Sequence, residues 1–433
     1  MVHTFQLSKV IDNETFESLL KTLKGLYFKE KIWITKQYEE FGVPNIFLCK
    51  FKPKRKNKEG KKVELKEEPY RYCIFLSINP SRMLNKNSKG YQSTDILCFN
   101  SIFVKVIYER LFELFPQLDD RYVYNEDYYF RAFQLRRIDY TFDLFYQPEQ
   151  YITFINQGYI IQRNSYKRCY YESKELLEEI EDDEFDEELE ALIDKELEKD
   201  KFQSDVKYIY YKSKSLNINI YLKGEQLKKD KLIDENDTNY DFLRIEIQVK
   251  KAKLNAIKKK FGIPYRELFH MATPEIEAYI LQYYLQALTG KGHYFTLKEA
   301  KMMIDNNKTH GFSNQKKEKL KKVLEEVSIR HGISKVLELV ENGKITELGK
   351  VSTVKKHLKE LHSLNVNPVT ISTRMNVPKK ELRNSKGEIA REIVMLPNLV
   401  DMIKSYTKQI QAEMLNENGI ELTEETIRRI NQL

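Results

Sequence analysis

The chain has 433 residues and a mass of 51.8 kDa, 32% of its residues are charged, and its mean hydropathy is −0.59. This composition argues against a membrane protein, as does the lack of any apolar run near the ~18 residues that a membrane helix needs. Residues 1–16 lack the layout of a signal peptide, so we expect a cytoplasmic protein of two or three domains.

The charge balance is mildly basic, with 73 Lys and Arg against 65 Asp and Glu and a net charge of +8. Such a balance favours a polyanionic partner, and basic clusters matter more than their sum. The 4 cysteines contain no C-x-x-C pair, so their spacing indicates neither a zinc site nor a redox motif. We therefore expect idle thiols.

Two segments in the first 130 residues, 45–52 and 70–78, are rich in aromatic and branched residues and predict strands. The connection between them, residues 53–62, carries six Lys or Arg and one Gly. It is typical either of a hairpin tip that grips DNA phosphates or of a solvated loop. The residues that we assign to DNA contact here are Lys54, Arg55 and Lys56.

Three later segments, 137–144, 217–223 and 243–249, alternate strictly between apolar and polar residues. Alternation with a period of two places each set on one face of a sheet. If the three strands pair, their polar faces bring together two or three carboxylates, a Tyr, a Lys and an Arg. The polar residues are Arg137, Asp139, Thr141 and Asp143, then Asn217, Asn219, Tyr221 and Lys223, then Arg244, Glu246 and Gln248.

Such a group has a chemical use. Converging carboxylates bind a hard cation such as Mg²⁺ or Mn²⁺, which polarises a phosphodiester. A tyrosine hydroxyl, with an ordinary pKa near 10, is a weak nucleophile unless a cation lies close to it. Apart from His3, every histidine lies at residue 270 or later, so we expect carboxylates to hold any metal near these strands. The alternative is an ordinary solvated sheet face.

An acidic segment, 172–200, interrupts these strands and predicts a helical insertion. From residue 264 onward the pattern predicts helices, beginning with Thr273 as the N-cap of a helix that ends at Leu288. Residues 348–370 are typical of a short helix-turn-helix element with a basic helix. The further predicted helices are Asn314–Arg330, Ser334–Glu341, Thr353–Leu364 and Leu396–Glu413.

The order of these segments resembles the rolling-circle replication initiation factors of small plasmids (the Rep-trans family). It is also similar to filamentous-phage replication initiators and to relaxases of some integrative conjugative elements. The resemblance covers roughly residues 70–260. Its motifs are LRRIDYTFD at 135–143, YIYYKSKS at 208–215, NIYLKGE at 219–225 and LRIEIQ at 243–248, with FLSINPS at 75–81 upstream.

The resemblance implies a metal-dependent, HUH-related endonuclease sheet and a tyrosine that nicks one DNA strand. It implies Asp139 and Glu246 as metal ligands and Tyr221 as the nucleophile, with Lys223 beside it. Tyr211 and Tyr210 remain alternative nucleophiles. We add Asp143 as a third candidate ligand of Mg²⁺ or Mn²⁺, and Arg137, Arg244 and Lys212 as candidate DNA contacts.

We therefore expect an α+β protein. Residues 1–265 would form an antiparallel nicking domain that carries the acidic insertion, and residues 266–433 a helical domain for DNA recognition or partner binding. The expected function is to initiate rolling-circle replication by nicking and rejoining origin DNA through a 5′-phosphotyrosyl intermediate. Further candidate partners are a host helicase and a second copy of the chain. The alternatives are a conjugative relaxase with the same chemistry and a non-catalytic DNA-binding regulator.

Overall fold

A computed structural model describes much of residues 2–405. Within that span it leaves out residues 24–25, 29–30, 57–61, 85–100, 120–132, 160–165, 171–206, 230, 235, 239, 308–309, 373–374 and 384–388. The predicted acidic insertion at 172–200 therefore lies outside the described residues, as does the second half of the helix predicted for 396–413.

The described strands include all those predicted from the sequence. They are β1 (Val2–Ile11), β2 (Leu26–Phe28), β3 (Lys31–Tyr38), β4 (Val43–Phe51), β5 (Lys54–Lys56), β6 (Lys62–Glu64), β7 (Arg71–Ile78), β8 (Gln134–Leu144), β9 (Tyr166–Tyr170), β10 (Tyr208–Lys212), β11 (Leu216–Leu222), β12 (Leu243–Lys250), β13 (Tyr294–Phe295), β14 (Lys379–Arg383) and β15 (Ile389–Leu396).

The described helices lie between and after these strands. They are α1 (Asn13–Thr22), α2 (Pro80–Leu84), α3 (Ser101–Leu114), α4 (Pro148–Gln157), α5 (Lys223–Lys229), α6 (Lys251–Lys260), α7 (Leu268–Met271), α8 (Pro274–Thr289), α9 (Leu297–Asn306), α10 (Asn314–Ile329), α11 (Ile333–Glu341) and α12 (Val351–Ser363). Residues 399–405 are also helical.

One large sheet organises the chain. Its order is β2-β3-β4-β7-β1-β8-β12-β11-β10-β9, and every neighbouring pair is antiparallel. The three strands with strict alternation, β8, β12 and β11, are adjacent near its middle. The mixture of a large antiparallel sheet with helices confirms the predicted α+β class.

The apolar face of the sheet is covered by helices. Helix α4 packs on β10, β11 and β12 through four buried residues, and α8 packs on β8. The hydroxyl of Tyr140 on this face donates a 2.7 Å hydrogen bond to the carbonyl of Met271. The apolar face is therefore covered by residues from both sides of position 265. The division of the chain into domains at that position stays a prediction.

The C-terminal part is not purely helical, which corrects the prediction. Beside α9 to α12 it contains an antiparallel sheet of order β13-β15-β14. The sequence concealed β14 because Lys379–Arg383 is rich in charged residues that are uncommon in strands. Helix α8 begins as predicted, because the Thr273 side chain accepts a hydrogen bond from the backbone amide of Ile276.

Helix α4 joins the large sheet to the C-terminal part. The ring of Phe154 stacks on that of Tyr294 with centroids 4.3 Å apart. The hydroxyl of Tyr151 donates a 2.8 Å hydrogen bond to the carbonyl of Pro397. These contacts bury aromatic surface from both parts, so we expect the two to unfold together.

Two other expectations concern the chemistry of the chain. Cys49 and Cys73 are buried, as predicted for these thiols, and burial raises the pKa of Cys73. No helix in the described part of the chain has the length and apolar character required to span a bilayer.

We predict that Gly158→Ala destabilises the joint between α4 and α8 by about 3 kcal/mol. A Cβ atom at Gly158 would lie 2.2 Å from the carbonyl oxygen of Leu288, so the backbones would have to separate. Urea unfolding measures the loss. Gly343→Ala is the control, because its backbone is left-handed but no atom lies within 4 Å of the added carbon. We expect that control to lose only about 1 kcal/mol, and equal losses would contradict the packing described.

Candidate active site

Strands β8, β12 and β11 form one continuous polar surface, as predicted. Glu246 lies opposite Thr141 on one side and Asn219 on the other, and Gln248 lies opposite Asp139. Residues that face each other across antiparallel strands point to the same side of the sheet. We call this surface the polar face; its residues are Arg137, Asp139, Thr141, Asp143, Asn217, Asn219, Tyr221, Arg244, Glu246 and Gln248.

The polar face is buried rather than solvated. Relative exposure is 0% for Arg244, 1% for Asp139, 6% for Glu246 and 7% for Tyr221. Burying charged groups costs several kcal/mol per ion unless they are paired and hydrogen-bonded. The alternative of an ordinary solvated sheet face with scattered charges is therefore wrong.

Tyr221 and Glu246 form the central contact of the polar face. The Tyr221 hydroxyl donates a 2.6 Å hydrogen bond to Oε1 of Glu246, and the Asn219 side chain donates one of 3.3 Å to Oε2. Tyr221 lies directly opposite Arg244, so it reaches Glu246 along the diagonal of the strand pair. A carboxylate in this position can accept the tyrosine proton.

Glu246 stays charged despite its burial. Burial alone would raise its pKa, but nearby groups outweigh that effect and the pKa is lowered. The opposing effects come first from the charges of His3 and Arg244. The hydrogen bond from Tyr221 and the charge of Lys223 act in the same direction. An ionised Glu246 at neutral pH is the form that a general base requires.

His3 is the site residue that the sequence analysis missed. Strand β1 pairs with β8, and a bulge between Val2 and Thr4 leaves His3 as an extra residue. Its Nε2 lies 3.7 Å from Oε1 of Glu246, and its Nδ1 lies 3.4 Å from Nη1 of Arg244. The two ring nitrogens of His3 therefore lie between the Glu246 carboxylate and the Arg244 guanidinium.

Asp139 occupies the opposite corner of the polar face. Its Oδ2 accepts a short hydrogen bond from the Thr4 hydroxyl. Its Oδ1 lies 3.1 Å from Nε of Arg137, but neither of these two buried atoms makes a hydrogen bond. Burial raises the pKa of Asp139 and the charge of Glu246 raises it further, whereas Arg137 and Thr4 oppose the shift. Two like charges therefore interact across the face, which a bound cation would relieve.

The roles predicted for Asp143 and Arg244 do not fit the structure. Arg244 lies opposite Asp143 in the β8–β12 pair and donates hydrogen bonds of 2.8 Å and 2.6 Å to its two oxygens. The Arg244 side chain is 0% exposed. Both oxygens of Asp143 are therefore engaged by Arg244, so the prediction of Asp143 as a metal ligand does not fit. A fully buried Arg244 is equally unsuited to contact DNA.

Lys223 lies beside Tyr221, as the resemblance implies. It is 4% exposed, and its Nζ lies 5.5 Å from the centre of the Tyr221 ring. It donates a 2.8 Å hydrogen bond to the side chain of Gln226. An ammonium close to the phenol ring favours negative charge on the phenol oxygen.

The alternative nucleophiles fall on different faces. Tyr211 lies opposite the apolar Ile218 and is 2% exposed. Its hydroxyl donates a 3.5 Å hydrogen bond to the carbonyl of Tyr159. It therefore belongs to the core and not with the carboxylates, which corrects its assignment as a catalytic residue. Tyr210 lies opposite Asn219 and so shares the polar face.

The other predicted DNA contacts differ in position. The Arg137 side chain is 29% exposed beside Asp139, so it can reach a ligand from the polar face. Lys212 lies opposite Asn217 at the far end of the same face. Residues Lys54–Lys56 form β5, which pairs with β6 as the predicted hairpin, and their side chains lie outside what the structure describes.

The polar face offers a metal two carboxylate ligands, which is only part of a full ligand set. The described residues contain no group of three or more His, Cys, Asp or Glu side chains that could hold a metal. Asp139 and Glu246 nevertheless offer oxygens on one face, and Oδ1 of Asp139 is a buried oxygen without a hydrogen-bond donor. Two carboxylates fit Mg²⁺, which commonly binds one or two of them together with substrate phosphates and water.

Comparisons with known proteins add little to this geometry. No protein-family model and no curated protein matches the sequence. The solved structure of a rolling-circle replication initiator protein from Geobacillus stearothermophilus is similar at a TM-score of 0.27 and 10% identity, over 87% of this chain and 98% of that one. A TM-score this low does not establish a shared fold.

We predict that Asp143→Ala destabilises the protein by about 3–5 kcal/mol, because it leaves the buried Arg244 without its counter-ion. Asp143→Leu combined with Arg244→Met should recover most of that loss. Urea unfolding gives each value. Glu392→Ala is the control, because its ion pair with Lys379 is exposed and is expected to contribute less than about 1 kcal/mol. Equal losses in Asp143→Ala and the control would contradict a buried pair.

Proposed function

We propose that this chain nicks one strand of DNA and rejoins it, with Tyr221 as the nucleophile, to initiate rolling-circle replication. The observation that carries the proposal is the 2.6 Å hydrogen bond from the Tyr221 hydroxyl to an ionised, buried Glu246. The order of motifs along the chain, which resembles rolling-circle initiators, supports the choice of DNA as substrate.

The reaction is a transesterification. Glu246 accepts the proton of Tyr221, and the phenol oxygen forms a bond to the phosphorus of the scissile phosphate. The bond from phosphorus to the 3′ oxygen breaks, and that oxygen takes up a proton. The products are a 5′-phosphotyrosyl link and a free 3′-hydroxyl, which can prime synthesis. One phosphodiester bond is exchanged for another, so rejoining is the reverse step and needs no ATP.

Cationic side chains surround the reacting groups. Lys223 favours the phenolate form of Tyr221, and His3 favours the ionised form of Glu246. Arg137, whose side chain is 29% exposed, would contact the phosphate. Because Tyr221 is only 7% exposed, the DNA strand must first gain access to its hydroxyl.

We propose Mg²⁺ or Mn²⁺ as the cofactor, held by Asp139 and Glu246 together with phosphate oxygens. When bound, such a cation offsets the negative charge that develops on the phosphate. The chain's own share is to place the two carboxylates on one face. Thr4 and Arg137 orient Asp139, and Asn219 orients Glu246.

Recognition of duplex origin DNA is assigned to the C-terminal part. Helix α12 buries Val354, Leu358 and Leu361 and exposes a basic side with Lys355, Lys356 and Lys359. An exposed basic helix is an element that a major groove accepts. A host helicase would bind this part as well.

We predict that Tyr221→Phe abolishes nicking, with a loss of at least about 100-fold, because it removes the attacking oxygen. DNA binding should change less than about twofold, since the ring remains. The assay is conversion of supercoiled plasmid that carries the chain's own origin to the open form. Tyr208→Phe is the matched control, because its ring stacks on Tyr221 with centroids 5.6 Å apart and has no assigned chemical role. Full nicking by Tyr221→Phe, with loss in Tyr210→Phe instead, would move the nucleophile to Tyr210.

We predict that nicking stops in EDTA and returns on addition of Mg²⁺ or Mn²⁺. Asp139→Asn should lose cleavage, because it removes one ligand charge. Mn²⁺ should also raise the melting temperature of the wild-type chain but not that of Asp139→Asn, a readout independent of activity. Glu225→Gln, a surface variant whose side chain is 50% exposed, serves as the control. Undiminished nicking in EDTA would exclude the metal.

A further inference from the structure

A second basic surface lies on the helical side of the sheet. Between Glu246 and Glu267 the chain carries six lysines and one arginine, with no acidic residue. Most of these lysines belong to helix α6, which buries Leu254 and Ile257 and so turns its other side outward. Lys251, Lys259 and Lys260 are exposed. The sequence therefore concentrates positive charge on one outward surface.

Aromatic rings of α8 lie among these lysines. Nζ of Lys253 lies 5.4 Å from the ring centre of Tyr283, and Nζ of Lys260 lies 3.8 Å from that of Tyr279. The rings of Tyr279 and Tyr283 are themselves 5.9 Å apart. Phe261 packs edge-on against Tyr279 with centroids 5.3 Å apart. We call these five residues the Lys–Tyr platform.

The platform keeps aromatic surface in contact with water. Tyr283 is 51% exposed and Phe261 is 38% exposed. Contacts between lysines and rings explain why the platform holds together, at about 0.5–1 kcal/mol each at exposed sites. They do not explain why large rings remain exposed within a run of like charges, which is unfavourable in the free protein. A polyanion with planar groups would satisfy both features.

We propose that the Lys–Tyr platform binds single-stranded DNA, an inference that rests on the proposed function. Proteins that bind single strands combine a basic surface for phosphates with aromatic side chains on which bases stack. Bases in a duplex are already stacked on each other and cannot use exposed rings. An acidic protein would satisfy the lysines but would leave the exposed rings without flat partners.

The position of the platform separates it from the nicking site. Helix α6 follows β12 directly at Lys250, whereas Tyr221 lies opposite Arg244 at the other end of β12. Six residues of strand span about 20 Å. Helix α8 also packs on the apolar face of the sheet, opposite the polar face. The platform would therefore hold a stretch of strand some nucleotides away from the cleaved phosphate, which keeps the displaced strand near the enzyme for rejoining.

The test is fluorescence anisotropy of the full chain with a labelled 25-nucleotide single strand and with the matching duplex, in EDTA so that no cleavage occurs. Tyr283→Ala should weaken single-strand binding about tenfold, because base stacking on one ring is lost. Tyr283→Phe should restore it, and duplex binding should stay unchanged. Lys251→Gln with Lys259→Gln should lower the slope of log affinity against log salt by about 1.4.

Ile329→Ala is the matched control, because Ile329 is also exposed, at 59%, but lies on α10. Phe261→Ala provides a second test of the rings if Tyr283→Ala melts at a lower temperature than the wild type. Unchanged single-strand affinity in both ring variants would overturn the proposal. An equal loss of duplex affinity in the ring variants would also overturn it. So would polyglutamate that binds the wild type as tightly as the single strand does and binds Tyr283→Ala more weakly. If the wild type never nicks but these binding losses appear, the proposed function fails and the platform stands.

Discussion

The structure depends on keeping one carboxylate, Glu246, ionised inside a sheet. At 6% exposure this carboxylate would be neutral without compensating partners, which its neighbours provide as hydrogen bonds and positive charge. Tyr221 and Asn219 donate hydrogen bonds, and His3 and Arg244 supply positive charge. The same arrangement that stabilises the charge places it against the Tyr221 hydroxyl.

Arg244 links this requirement to the rest of the sheet. A guanidinium at 0% exposure is tolerated only because both of its edges are occupied, by the two oxygens of Asp143 and by Nδ1 of His3. Arg244 is thus held in a buried ion pair, and β1 reaches the polar face through the bulge at His3.

The apolar face of the sheet connects the strands of the candidate site to the C-terminal part of the chain. Helix α4 packs on the strands of the site and also on Tyr294 and Pro397 of the C-terminal part. The C-terminal part is therefore connected to the sheet through α4 as well as through the direct packing of α8 on β8.

Much of the sheet could be predicted from the sequence, because strict alternation identifies β8, β11 and β12 and the face on which Asp139, Tyr221 and Glu246 lie. Alternation could not reveal the bulge, which brings two consecutive polar residues, His3 and Thr4, to the same face. The one signal was the pair of adjacent polar residues His3 and Thr4 ahead of the alternation from Phe5 to Ser8. The alternation does not determine cross-strand register either, so the pairing of Asp143 with Arg244 could not be predicted.

The same limitation explains the error over the tyrosines and the small C-terminal sheet. Tyr210 and Tyr211 are adjacent in sequence, so one must face the core, and only the register with β11 decides which. Strand β14 carries four charged residues in five, a composition that local preference assigns to loops or helices. In both cases tertiary pairing overrode a local pattern.

The most direct measurement is to identify the residue that becomes linked to DNA. The full chain is incubated with Mn²⁺ and a single strand that carries the nick sequence, the adduct is digested with trypsin and nuclease, and the peptides are sequenced by mass spectrometry. A nucleotide attached to Tyr221 in the peptide that spans β11 is the predicted result. A nucleotide on any other residue, or no covalent product while the DNA is cut, would contradict the assignment of Tyr221 and Glu246 as the nicking pair.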